Sequence, residues 1–406
     1  MFIIQGADVS CLYNSTIKKQ IKNNMSDHSL LMIPGPIEFS DEVLQANAHP
    51  SMSHVGAPFI NVFGESLELL RKVFVSEDAQ PLVVAGSGTL GWDIVAANIT
   101  ERGDNVLFRR MVITLLINTT KQKSFETYGV TATQLKAAIG ERPTSDQVEV
   151  ALKERKYKLV SITHVDTSTG VLSDVKLISE VVRRVSPDTL IVVDGVCSVG
   201  GEELLFDEWG VDIAITASQK AIGVPPGLSI SAFSKRAIST FNSRTTPPSS
   251  YFASLKKWLP IMQAYESRKP MYFATPPVQL IYALHASLKK ITERPMSERF
   301  QLHKDASNKV KSAVRELGLK QVPTQDQFAA NTMTAVYLPE GLTLPDVLPK
   351  LSQKGIIFAG GLHREIATKY FRIGHMGITA TDSGRNDLDK AIQGLKEVLS
   401  EATQKH

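Results

Sequence analysis

Five short runs rich in β-branched and aliphatic residues set the frame of this chain. They are PLVVAG (81–86), KLVSITHV (158–165), TLIVVDGV (189–196), VDIAITA (211–217) and LSISAFS (228–234). Their near-continuous Val/Ile/Leu content predicts strands buried on both faces, as in a parallel sheet covered on each side. Between the second and third runs, VKLISEVVRRV (175–185) has apolar residues at helical spacing. Strands alternating with helices argue for an α/β fold with a doubly wound, mostly parallel sheet. A ligand of such a sheet is expected at the carboxyl ends of the strands.

The pattern changes after about residue 280. A long helical region leads into a smaller α/β unit with strands TAVYLP (334–339), IIFAG (356–360) and YFRIG (370–374). Its closing helix carries Leu388, Ile392, Leu395 and Leu399 on one face. The expected division is a large domain with an N-terminal arm over 25–280 and a small C-terminal domain over 281–406.

A chain of 406 residues can bury a large core. A net charge of +4 is small for that length and gives no case for nucleic-acid binding. No apolar run approaches the roughly 18 residues of a membrane span. The two cysteines, Cys11 and Cys197, are too few for a disulfide framework and lack metal-ligand spacing, so no metal is expected and a reducing compartment is. Residues 1–24 make a poor secretory signal and a mediocre mitochondrial presequence. They read as a leader, or as a start placed too early, with Met25 opening the globular pattern. Secretion is not expected; cytoplasm and mitochondrion both stay open.

Four polar features fall at expected strand ends. In TASQKAIGVPPG (216–227) a single charge, Lys220, stands at the end of a buried strand, where desolvation favours the neutral amine and suits it to covalent chemistry with a carbonyl. VVDGVCS (192–198) puts Asp194 at another strand end; it is either a helix cap or the partner of a protonated pyridine nitrogen. AGSGTLGWD (85–93) follows the first strand and opens a helix, so its small residues and helix N-terminus suit a phosphate. THVDTSTG (163–170) adds hydroxyls and an acid, which local capping also explains. A strand-end Asp followed about 26 residues later by a strand-end Lys fits pyridoxal 5'-phosphate.

These stretches, with LMIPGP (31–36), SHVGAPF (53–59), YFATPPV (272–278) and RIGHMG (372–377), resemble the fold-type I, class V aminotransferases. The resemblance runs from about Leu30 to Leu399 and is strongest to fungal members of the alanine–glyoxylate and serine–glyoxylate branch. It implies a fold-type I α/β transferase whose large domain holds a mostly parallel seven-stranded sheet flanked by helices. It implies a homodimer acting on a small amino acid and a 2-oxo acid, moving an amino group from alanine to glyoxylate. Serine or another small amino acid is the alternative donor.

The resemblance also implies roles. Lys220 is the imine-forming lysine and proton carrier, and Asp194 pairs with the pyridine nitrogen. Ser87, Gly88 and Thr89 form the phosphate cup. Thr167 lies on the cofactor's phenolic-oxygen side, and Gln219 at the phosphate. Tyr272 and Thr275 reach the neighbouring subunit's phosphate. Arg372 clamps the substrate carboxylate, a task suited to a planar, bidentate guanidinium. Gly35 leaves room beside a small substrate. His375 is structural rather than catalytic.

One segment departs from the family. LFRRMVITLLINTTKQKS (107–124) has no Gly, Trp, Tyr or acid where the family has a Gly-aromatic loop that stacks on the cofactor, and its apolar run lacks the expected helix pattern. The family pattern resumes at FETYGV (125–130). Two compensating frameshifts fit this: one codon choice for residues 110–114 reads Asn-Gly-Tyr-Tyr when shifted by two bases. The alternative is a genuinely divergent segment, with a site that lacks its stacking ring and a chain that is catalytically impaired. Either way, the sequence as it stands is expected to bind the cofactor poorly.

Overall fold

A computed structural model describes residues 28–109 and 117–403. The leader, Met25 and residues 110–116 of the divergent segment lie outside the described residues.

Seven strands form the main sheet: β2 (Gln80–Ala85), β3 (Asn105–Arg109), β4 (Thr131–Leu135), β5 (Leu159–Thr163), β6 (Leu190–Asp194), β7 (Ile213–Ala217) and β8 (Leu228–Phe233). Their order is β2-β8-β7-β6-β5-β3-β4. The pairs β7-β6, β6-β5, β5-β3 and β3-β4 are parallel. Strand β8 runs antiparallel to both β2 and β7, so β2 points the same way as the parallel set. The carboxyl ends of β2, β5, β6 and β7 therefore open on one edge. Every residue of β6, β7 and β8 is buried, as expected for strands covered on both faces. Four of the five strand runs read from the sequence thus lie parallel, and LSISAFS is the reversed one.

Helices cover both faces. Helix α1 (Ala57–Phe74) buries Phe59, Phe63, Leu67, Leu70 and Phe74 in the main core. Helix α2 (Gly88–Ile99) springs from the end of β2. Helix α3 (Ile117–Thr127) returns the chain from β3 to β4. Helix α4 (Val175–Val185) keeps the bounds read from its spacing, and Asp174 caps it by accepting from the Leu177 N–H at 3.0 Å.

Helix α3 and strand β4 were not foreseen. Residues 107–124 carry no helical pattern, yet α3 begins among them and runs on to Thr127. Its anchor lies at the edge of that segment: Phe125 is fully buried, 5.3 Å from the Phe108 ring centroid and 6.3 Å from that of Trp92. Strand β4, TATQL, is polar and only half buried because it is the sheet's edge strand, paired on one side by β3. That is why it lacks the apolar signature of its neighbours.

The C-terminal unit holds β9 (Met333–Tyr337), β10 (Ile356–Ile357), β11 (Ala359–Gly360) and β12 (Tyr370–Gly374). Strand β12 pairs antiparallel with β9 and β11. The run IIFAG is thus split between two short strands. Helices α5 (Met296–Glu316) and α6 (Asp387–Thr403) pack against this unit, with Leu395 and Leu399 buried in its core. The N-terminal arm joins it: β1 (Leu30–Leu31) pairs parallel with β10, and Met32 is fully buried in the same core. No helix among the described residues is long and apolar enough to cross a membrane.

Arg109, at the end of β3, is buried without an acidic partner among the described residues. Its Nε and Nη2 donate to the Pro143 carbonyl at 3.2 and 2.5 Å, while Nη1 has no partner among the described residues. Burial pushes its pKa down to about 9, and neighbouring Arg142 adds to the push. An orphaned buried donor costs about 1–3 kcal/mol, so Arg109→Leu is expected to raise the melting temperature of the cofactor-free protein. A lower melting temperature would mean that the bonds to Pro143 outweigh that cost.

Candidate active site

The loop after β7 carries Lys220, nearly fully buried. Its Nζ donates to the carbonyl of Pro34 in the N-terminal arm. That arm is tied to the C-terminal unit by hydrogen bonds from Met32 N to Ile357 O at 3.0 Å and from Gly374 N to Met32 O at 2.9 Å. Burial pushes the Lys220 pKa below the ordinary lysine range; the Cys197 sulfur opposes this and the Arg372 charge reinforces it. The amine is thus nearer to its nucleophilic, proton-accepting form than a surface lysine.

Gly35 lies directly against this amine. Its φ is +110°, and a Cβ placed there would stand 2.5 Å from both Lys220 Nζ and Cδ. Neither the backbone angle nor the space admits a side chain.

Asp194 ends β6, the strand beside β7, and is buried. Its Oδ1 accepts from the Val196 N–H at 3.1 Å, and Oδ2 pairs with the ammonium of Lys121 on α3. Lys121 also donates to Thr163 Oγ1 at 3.3 Å.

At the end of β2 the turn Gly86-Ser87 leads into α2, with Ser87 as its N-cap and no side-chain cap bond. Gly88 is buried against β7: a Cβ there would lie 3.1 Å from that of Ala217. Ser87 and Thr89 are exposed, so the first N–H groups of α2 face an open position. Gln219, beside Lys220, has a buried Oε1 with no partner among the described residues. An open helix N-terminus can take an anion.

Arg372, on β12, is buried. Its Nε donates to Gly360 O at 2.8 Å and its Nη1 to the Thr167 carbonyl at 3.0 Å. It has no acidic partner among the described residues. Thr167 meets the site through its backbone, while neighbouring Asp166 accepts from Ser168 N and Oγ at 2.8 and 2.6 Å. His375 is fully buried with its Nε2 2.8 Å from Thr334 Oγ1, and burial pushes its pKa down to about 3. A neutral, enclosed ring of this kind braces β12 against β9.

The structure thus brings Lys220, Gly35 and Arg372 to one junction, with Asp194 at the adjacent strand end. Tyr272 and Thr275 stand apart on the surface: the Tyr272 hydroxyl lies 3.5 Å from Thr275 Oγ1, and its ring 5.2 Å from that of His54. Three participants escaped the sequence reading. The Pro34 carbonyl sits in a motif that drew notice only for Gly35. Cys197, whose Sγ is 4.0 Å from that same carbonyl, was weighed only as a cysteine. Lys121 lies in the segment without a legible pattern.

Residues 38–378 match the family model described as aminotransferase class-V, and the chain belongs to that family. Among curated proteins it is similar to alanine–glyoxylate aminotransferase 1 of Saccharomyces cerevisiae, at 44% identity over 91% of this chain and 97% of that one. It is 31% identical to L-aspartate–glyoxylate aminotransferase of Paracoccus denitrificans over 87% of each chain. Among solved structures, ureidoglycine–glyoxylate aminotransferase of Bacillus subtilis superposes with a TM-score of 0.83 at 26% identity, covering 92% of this chain and 94% of that one.

Replacing Gly35 with Ala is expected to lower activity at least tenfold by displacing Lys220, since the added Cβ overlaps the amine. Activity assays on a variant that keeps its melting temperature check this; unchanged turnover would mean the arm yields freely.

Proposed function

We propose that this class-V aminotransferase carries the amino group of alanine to glyoxylate, giving pyruvate and glycine, with pyridoxal 5'-phosphate as its cofactor. The relatives bear on the two substrates differently. Glyoxylate recurs in the names of all three, whereas their donors are alanine, aspartate and ureidoglycine. The most similar of the three is named for alanine.

The observation that carries the reading is Arg372. A buried guanidinium whose described partners are only backbone carbonyls awaits an anion, and a carboxylate is shared by alanine, glyoxylate, pyruvate and glycine. Gly35, lacking a side chain, leaves the space against the Lys220 amine clear.

The side chains present fit the cofactor. Lys220 would hold its carbonyl carbon, Asp194 its ring nitrogen, and the turn at Ser87, Gly88 and Thr89 its phosphate, with Gln219 alongside. Thr167 would lie on the side of its phenolic oxygen. When bound, the cofactor supplies an electron sink for charge developing at the substrate α-carbon.

The remaining steps belong to this chain. Arg372 binds the carboxylate of the amino acid, and later of the oxo acid, and fixes how each enters. Lys220, whose hold on its proton is weakened by burial, takes the proton from the substrate α-carbon and returns it when the second substrate is converted. Asp194 would supply the fixed negative charge that favours a protonated ring nitrogen. Tyr272 and Thr275 are read as completing a second subunit's phosphate site in a homodimer, which accords with their exposure.

Purified protein supplied with pyridoxal phosphate is expected to convert alanine and glyoxylate, and to prefer alanine over serine and aspartate. Arg372→Ala is expected to raise KM for both alanine and glyoxylate, through loss of about 2–4 kcal/mol of charge-assisted binding. Steady-state kinetics with each substrate varied check this. An unchanged KM for both would place the carboxylate elsewhere, and faster turnover with serine would reassign the donor.

A further inference from the structure

Asp194 already holds a cation. The Lys121 ammonium pairs with its Oδ2, while Val196 N–H occupies Oδ1. Both charged side chains are buried, at 5% and 8% exposure, so this is an enclosed ion pair and not a surface contact. The Lys121 Nζ also stands 5.2 Å from the centre of the Trp92 ring and 3.3 Å from Thr163 Oγ1. Trp92 belongs to α2, whose first turn follows the phosphate-suited turn, and Thr163 ends the strand beside β6.

We propose that Lys121 is a resident counter-cation at Asp194, which the cofactor's protonated ring nitrogen must displace. The inference rests on the reading of Asp194 as the partner of that nitrogen. Without cofactor, an unpaired Asp194 carboxylate would be a buried charge with no compensation, and Lys121 removes that cost. With cofactor, two cations contend for one carboxylate oxygen, and a neighbouring ammonium disfavours protonation of the ring nitrogen. The flexible four-carbon stem of a lysine lets the ammonium withdraw along α3 when displaced. The site therefore keeps its charge balanced in the cofactor-free state and binds cofactor more weakly than Asp194 alone would allow.

The test compares the full-length wild type with Lys121→Met and Asp194→Asn. Each is titrated with pyridoxal phosphate, followed by tryptophan fluorescence and visible absorbance, and melted with and without cofactor. Lys121→Met is expected to melt lower than wild type without cofactor, because Asp194 loses its partner. It is expected to bind pyridoxal phosphate about tenfold tighter or more, the loss of one competing charge-assisted bond. Asp194→Asn is expected to weaken binding. Lys121→Gln removes the charge but keeps a donor; it is expected to tighten binding in the same direction and serves where the methionine variant folds poorly. If Asp194→Asn weakens binding while neither Lys121 variant tightens it, the counter-cation role is overturned and the reading of Asp194 stands. If Asp194→Asn leaves binding unchanged, both are overturned.

Discussion

The hydrogen bond from the Lys220 Nζ to the Pro34 carbonyl ties the main sheet to the N-terminal arm. Lys220 belongs to the main sheet, at the end of β7, while Pro34 belongs to an arm whose backbone is paired to β10 and β12 of the C-terminal unit. The site is therefore built where the loop after β7 meets the arm and β12. Gly35 and Arg372 reach it from the arm and from β12, and Asp194 from β6. Backbone carbonyls hold the two cations: those of Thr167 and Gly360 hold Arg372, and that of Pro34, in an arm that admits no side chain at position 35, holds Lys220.

Desolvation is the common thread in the site's chemistry. It weakens the hold of Lys220 on its proton, and it makes every unmatched charge costly. Asp194 meets that cost with Lys121; Arg372 meets it only with carbonyl dipoles. The difference separates two kinds of position. One is balanced within the chain before anything binds, and the other is left for an incoming carboxylate. Arg109 is another buried cation; among the described residues it bonds the Pro143 carbonyl.

The sheet was legible in the sequence because β5, β6, β7 and β8 are buried on both faces, which writes a continuous aliphatic run. Strand β4 was not legible, since an edge position tolerates Thr and Gln. Helix α3 was missed for a related reason: its sequence has no periodic apolar pattern, and Phe125 near its C-terminal end packs against Phe108. Within the site, Lys220, Asp194 and the Gly86–Thr89 turn stood out because strand ends followed by small residues have a recognisable form. The partners that set their electrostatics did not. A backbone carbonyl such as that of Pro34 has no side-chain signature. A lysine in a stretch without apolar periodicity, such as Lys121, reveals its neighbour only when the chain is folded.

Covalent capture at Lys220 tests the central claim most directly. The protein loaded with pyridoxal phosphate is treated with borohydride, digested, and its modified peptide sequenced by mass spectrometry. The account predicts the reduced cofactor on the peptide spanning Ser218–Gly227, at Lys220, and its absence from Lys220→Ala. Modification instead at Lys121 or Lys311, the other buried lysines described, would contradict the account, as would a chain that takes up no reducible cofactor.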